Sequence, residues 1–284
     1  MTPGGTGVLP LQGPLAVAGA GNMAEALVGG WVQRGVFRAE DIRVSDAQPD
    51  RSRRLAERWG ARAANGNADA AAGARICLIA VKPQHVAAVL KDLREVPDAE
   101  RWILSIAAGV TTRAIERGLE GTPRVVRAMP NTPALVGKGM SVISGGAHAT
   151  EADLAMAETM LSAVGAVLRA EEADMDAVTA VSGSGPAYVF YLAEMLEEAA
   201  RSLGLPSDTA RELVARTIEG AAAMMRQTGD APDQLRHRVT SPGGTTEAAL
   251  RHLDAQHMRE IWTEAVRRAH ARAVEIARAS ESNA

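Results

Sequence analysis

The chain is almost without cysteine: Cys77 stands alone among 284 residues, which excludes an intramolecular disulfide and points to a reducing compartment. It lies in the apolar run Ile76-Cys77-Leu78-Ile79, where a small buried side chain is expected rather than a nucleophile. Lysine is nearly as scarce, occurring only at Lys82, Lys91 and Lys138, with Arg supplying the other cations; a GC-rich genome explains this bias better than phosphate binding does. Aromatic residues make up 3%, so Trp31, Trp59, Trp102 and Trp262 are read as packing. No uninterrupted apolar run approaches the roughly eighteen residues of a membrane span. The first fourteen residues are rich in Gly and Pro and lack Lys and Arg, which fits a loose tail rather than a secretory signal. A net charge of −3 gives no general attraction to nucleic acid or a membrane surface. The histidines (His85, His148, His237, His252, His257, His270) form no pair with zinc-site spacing, and no metal site is expected. The expectation is a soluble, cytoplasmic protein.

What is present is an alternation of strand and helix patterns. Leu15 to Ala18, Ile42 to Ser45, Ile76 to Val81, Trp102 to Ile106, Arg124 to Met129 and Met140 to Ser144 read as strands. Ala24, Leu27, Val28 and Trp31 recur at helical spacing between the first two, and Arg51 to Trp59 reads as a second helix. The order predicts an α/β fold with a doubly wound, mostly parallel sheet. After about residue 150 the strand-like runs fade and long amphipathic stretches take over: Glu151 to Val164, Tyr188 to Leu203, Ser207 to Thr228, Thr246 to Leu253 and Gln256 to Ala279. The expected division is therefore residues 14–169 for a dinucleotide-binding Rossmann domain and 170–284 for an all-α domain. Ile261, Trp262, Ala265, Val266, Ala269 and Ala273 share one helix face, which suits an intrachain bundle and a dimer interface equally.

The first strand runs into Gly19-Ala20-Gly21-Asn22-Met23-Ala24 and then a helix, the context a dinucleotide fingerprint requires. Gly19 permits the tight turn, Gly21 leaves room for a pyrophosphate, and Ala24 lets helix and strand pack closely. The phosphates would rest on the uncapped N–H groups and positive end of the helix. Asp46 ends the second strand, where an acidic side chain bonds the ribose hydroxyls of NAD. Arg51, Arg53 and Arg54 follow and could instead hold the extra phosphate of NADP, so NADPH and NADH both stay open. In the helical half, Ser182-Gly183-Ser184-Gly185-Pro186 and Ser241-Pro242-Gly243-Gly244-Thr245-Thr246 each precede a helix. Backbone N–H groups and hydroxyls at such a start can hold a small carboxylate, although plain N-capping is the commoner use of Ser and Thr there.

Taken together, these segments resemble the pyrroline-5-carboxylate reductase family from about Pro14 to Arg278. The match runs through the Gly19 loop, Ala80-Val81-Lys82-Pro83-Gln84, Ser105-Ile106-Ala107-Ala108-Gly109, Arg127-Ala128-Met129-Pro130-Asn131-Thr132-Pro133, Asp176-Ala177-Val178-Thr179, Ser182 to Tyr188, and Val239 to Thr246. The resemblance implies a Rossmann domain followed by a helical domain that interlocks two subunits, and reduction of the C=N bond of 1-pyrroline-5-carboxylate to proline. It implies that Ser45 and Asn67 join the Gly19 loop at the adenosine and phosphate end, and that Val81, Lys82, Pro83 and Ala107 lie along the nicotinamide. It further implies that Ser241, Thr245 and Thr246 grip the substrate carboxylate and ring nitrogen, with Glu172 nearby. Asp46 departs from the small or basic residues of several members. Hydroxyacid dehydrogenases of related fold use a Lys in the second half, and none follows Lys138. A nucleotide sensor without activity would lack the Ser241–Thr246 loop, which is intact.

Overall fold

The computed structural model describes residues 13–96 and 101–282, so most of the N-terminal tail lies outside the described residues. Among the described residues eight strands form one sheet: β1 (Leu15–Ala18), β2 (Ile42–Ser45), β3 (Arg62–Ala63), β4 (Ile76–Ile79), β5 (Trp102–Ser105), β6 (Arg124–Met129), β7 (Gly139–Gly145) and β8 (Gly165–Arg169). Their spatial order is β3-β2-β1-β4-β5-β6-β7-β8. All neighbouring pairs are parallel except β6 with β7. The chain goes one way from β1 to β2 and β3, then returns to the other side of β1 for β4 and β5. This reversal opens a crevice at the carboxyl ends of β1 and β4, where α/β folds bind ligands.

The helices are α1 (Asn22–Arg34), α2 (Pro49–Trp59), α3 (Asn67–Ala71), α4 (Val86–Arg94), α5 (Thr112–Leu119), α6 (Glu151–Ser162), α7 (Met175–Val178), α8 (Gly185–Ser202), α9 (Ser207–Thr228), α10 (Pro232–Arg238), α11 (Thr245–Ala255) and α12 (Met258–Ser282). All four residues of β1 are buried, as expected for a central parallel strand covered on both faces. One core cluster joins Leu15, Val17, Leu27 and Trp31, and a second joins Ala16, Ala18, Leu90 and Ile115 on the other face. Trp31 is fully buried, and its Nε1–H donates to Met160 O at 2.7 Å, so its polar atom is satisfied inside the core. Cys77 is buried in β4.

Two expectations differ from the structure. The late β8 escapes a periodicity reading because its residues are mostly exposed and its partner β7 is distant in sequence. The short α3, α4 and α5 complete the alternation of strand and helix that the apolar runs only implied. By packing, one compact unit comprises the chain up to Ser184 together with its end from Ala269, and a second comprises Gly185–Arg268. In the second unit, Ala210 and Val214 are buried, while Phe190, Leu203, Leu213 and Ile261 are exposed.

Candidate active site

The turn after β1 is held from both sides. Gly19 N–H donates to Ser45 O at 2.8 Å, and Ala80 N–H donates to Ala18 O at 2.8 Å. Gly19 has φ +106°, and a Cβ there would lie 2.5 Å from Ala80 O. Only glycine fits both the left-handed backbone and the approach of β4. A Cβ on Gly21, by contrast, meets nothing within 4 Å. The space a pyrophosphate needs is present above Gly21, and the group fits the loop. Gly21 also caps α1 without a side-chain hydrogen bond, so the first N–H groups, at Asn22 and Met23, have no side-chain acceptor over them. Ala24 is fully buried and lets α1 sit close to the sheet.

The ends of neighbouring strands converge on this turn. Ala20 N–H donates to Asp46 Oδ2 at 2.8 Å, tying the loop to the end of β2. Gln48 N–H donates to Asp46 Oδ1, also at 2.8 Å. Ser45 is buried and its hydroxyl donates to Asn67 Oδ1 at 2.7 Å. Asn67 Nδ2 in turn donates to Asp92 Oδ2 at 2.8 Å. Val81 and Pro83 are half-buried and Lys82 is exposed just beyond β4. Ala107, after β5, is buried, with its N–H 3.4 Å from Ser105 Oγ. The residues expected at the dinucleotide thus lie at the end of β2, on the turns that follow β1, β2, β4 and β5, and at the starts of α1 and α3.

A second feature of this unit had no sequence signal beyond the motif containing it. Arg127, on β6, is buried, and its Nη1 donates to Glu172 Oε1 at 2.8 Å. The same Glu172 oxygen accepts from Thr112 N–H at 3.3 Å, and Arg127 Nη2 lies 3.8 Å from Asp176 Oδ1. Glu172 therefore faces inward and braces β6 against the start of α5, while Glu171 is exposed. The two adjacent glutamates differ only in facing, which no spacing rule predicts for an isolated 3₁₀ turn. The end of α12 also reaches the turn after β5. Ser280 Oγ donates to Gly109 O at 3.0 Å, and a Cβ on Gly109 would lie 2.5 Å from Ile276 Cγ2.

The two glycine-rich loops of the later chain differ from each other. Residues Thr179–Gly183 form a π-helical turn, with Ser184 N–H donating to Thr179 O at 2.9 Å. Asn131 Nδ2 donates to Ser182 O at 3.2 Å. This segment is a packed turn leading into α8 rather than an open anion loop. The tertiary anchor at Asn131 and the packing of Gly183 against Met129 Cε (2.4 Å from an added Cβ) account for the difference.

The loop Ser241–Gly244 in the second unit remains open. Gly243 has φ +71°, Gly244 caps α11 without a side chain, and Thr245 and Thr246 occupy its first turn. Ser241 and Thr245 are exposed and Thr246 is half-buried. Glu247 Oε2 accepts from Gly243 N–H at 2.7 Å. The loop offers hydroxyls and helix-start N–H groups together, the donor set that a small carboxylate needs.

Known proteins resemble this chain over most of its length. A family model described as "Pyrroline-5-carboxylate reductase dimerisation" matches residues 172–276, and one described as "NADP oxidoreductase coenzyme F420-dependent" matches residues 14–109. A pyrroline-5-carboxylate reductase from Corynebacterium melassecola is 42% identical over 248 residues, spanning 86% of this chain and 92% of the relative. The chain belongs to the pyrroline-5-carboxylate reductase family. Another member, from Pseudomonas aeruginosa, is 42% identical over 93% of this chain and 96% of its own. The solved structure of the family member from Coxiella burnetii superposes with a TM-score of 0.86 at 36% identity, covering 93% of this chain and 98% of that one. The Plasmodium falciparum member, solved with NADP bound, gives a TM-score of 0.84 at 26% identity, with 93% and 98% covered.

Proposed function

We propose that the chain reduces the C=N bond of 1-pyrroline-5-carboxylate with NADH or NADPH, giving proline. The observation that carries this reading is the joint presence, in a member of this family, of the Gly19–Ala24 crevice and the open Ser241–Thr246 loop. The bound coenzyme supplies the hydride that adds to the imine carbon. Gly19, Ala20, Gly21, Asn22, Met23 and Ala24 form the turn on which its phosphates rest, bonded by the helix-start N–H groups at Asn22 and Met23, and Ser45, Asp46 and Asn67 line the adenosine end. Val81, Lys82, Pro83 and Ala107 border the nicotinamide. Ser241, Thr245 and the α11 N–H groups hold the substrate carboxylate. The Thr246 hydroxyl bonds the ring nitrogen and relays to it a proton drawn from solvent water, which balances the hydride and leaves the hydroxyl intact. Glu172, held by Arg127, is the remaining residue of the set.

This division of labour needs no strong acid or base. An imine that is protonated as the hydride arrives develops no uncompensated charge, so orientation and exclusion of water carry the rate. The reading extends to the organisation of the chain. Residues 14–169 serve the coenzyme, residues 170–284 serve the substrate and self-association, and two copies pair through the helical half in the cytoplasm. Among the described residues no helix is long and apolar enough to cross a membrane.

The test is loss of reduced-coenzyme absorbance on mixing enzyme, coenzyme and 1-pyrroline-5-carboxylate, followed by the same assay on Thr246→Ala. Loss of a positioned hydrogen-bond donor at the reacting atoms costs about 10²-fold in kcat/KM. Near-normal turnover and Michaelis constant in that variant would remove Thr246 from the mechanism.

A further inference from the structure

We propose that the chain selects NADH over NADPH and that Asp46 makes the selection; this deepens the reductase reading and rests on it. Asp46 directly follows β2, where a dinucleotide on this fold presents its adenosine ribose. Its carboxylate is fixed at both oxygens, Oδ2 by Ala20 N–H and Oδ1 by Gln48 N–H, each at 2.8 Å. The first of these bonds attaches it to the fingerprint loop itself. The side chain cannot turn aside for a phosphate without leaving the Ala20 N–H unpaired at the site where the coenzyme lies.

A carboxylate offers about four acceptor positions, and two backbone bonds leave one on each oxygen. Those two positions match the two hydroxyls of an unphosphorylated ribose, which donate. A 2′-phosphate offers acceptor oxygens and a charge of about −1.5 to −2, so it meets acceptors of the same sign. The neighbouring cations do not reverse this balance. Arg53 pairs with Asp50 at 2.6 Å on the exposed face of α2, and Asp50 places a second carboxylate at the start of that helix. Arg58 is paired with Glu25. Arg51 and Arg54 are exposed, solvated charges set against an anchored one. A fixed like charge at a half-buried rim is worth about tenfold or more in relative affinity.

Calorimetric titration of the full chain with NADH and with NADPH, in separate experiments without substrate, tests this directly. The expected result is a Kd for NADH at least about tenfold below that for NADPH. Asp46→Asn removes the charge but keeps an acceptor for Ala20 N–H, and is expected to shrink the ratio about tenfold or more, chiefly by gain for NADPH. Asp46→Ser is titrated in parallel, with circular dichroism on both variants, so that at least one folded variant reports. Equal or tighter NADPH binding by the unmodified chain overturns the proposal, as does an unchanged ratio in a folded variant. If the imine is reduced with NADPH preferred, this selection falls while the reductase reading stands. If NADH binds selectively and the imine is not reduced, the reductase reading falls and the selection does not. If neither coenzyme binds, both fall.

Discussion

Two apolar tetrapeptides end up in opposite places. Leu15-Ala16-Val17-Ala18, in β1, is between 0% and 6% exposed, whereas Val189, Phe190, Tyr191 and Leu192 of α8 are between 39% and 61% exposed. The bulkier of the two runs is the one facing outward. β1 is buried because strands flank it on both edges and helices cover both faces, all within one unit of the same chain. The helices of Gly185–Arg268 bury little among themselves, and an exposed apolar surface of that kind marks an interface rather than a solvated face. The first unit is a finished core; the second is a core that a partner completes.

The same contrast holds for charge. Arg127 is buried against Glu172, with Asp176 close by, whereas Arg216 spans Glu212 and Glu219 on the open face of α9. The comparison can be broken at each of these points. The largest effect is expected from Arg127→Met, which strands two carboxylates behind β6; breaking a buried pair in this way costs about 3–5 kcal/mol. Chemical denaturation monitored by circular dichroism measures it, and a loss below about 1 kcal/mol would make the cluster no more than a surface pair. Phe190→Asp comes next. It should weaken self-association by about 2–4 kcal/mol, the range of an interface hot spot, while leaving the fold of the first unit intact. Sedimentation velocity across a dilution series reads the shift toward single chains, and an unmoved oligomer would place the interface elsewhere. Arg216→Ala should do least. Fully solvated ion pairs contribute little, so its denaturation midpoint should match that of the unmodified chain within error. A clear drop would mean that α9's charged face is covered in the assembly.

Much of the first unit was legible in the residues. β1, β2 and β6 run from the residues at which their apolar patterns begin to those at which they end. The Gly19 turn was legible for the same local reason: a strand, two glycines, a small residue and a helix start are contiguous in sequence. The Ser241–Thr246 loop was legible because its hydroxyls and glycines sit directly before α11. The Ser182–Pro186 segment was less legible, since its Ser182 and Gly183 belong to a π-turn and Ser182 is held by Asn131. Glycine and serine permit an open loop, and a contact from β6's following turn decides against it.

Local pattern, set by side-chain spacing and the stiffness of the backbone, determined the order of elements, the place of the dinucleotide turn and the start of α11. Tertiary structure alone decided that Asp46 is locked to the Ala20 N–H, that Glu172 rather than Glu171 faces Arg127, and that the late strand β8 closes the sheet. Each of those depends on groups brought together from distant stretches of chain. Their partners are chosen by the geometry of the packed sheet, and no periodicity within a single segment encodes that choice.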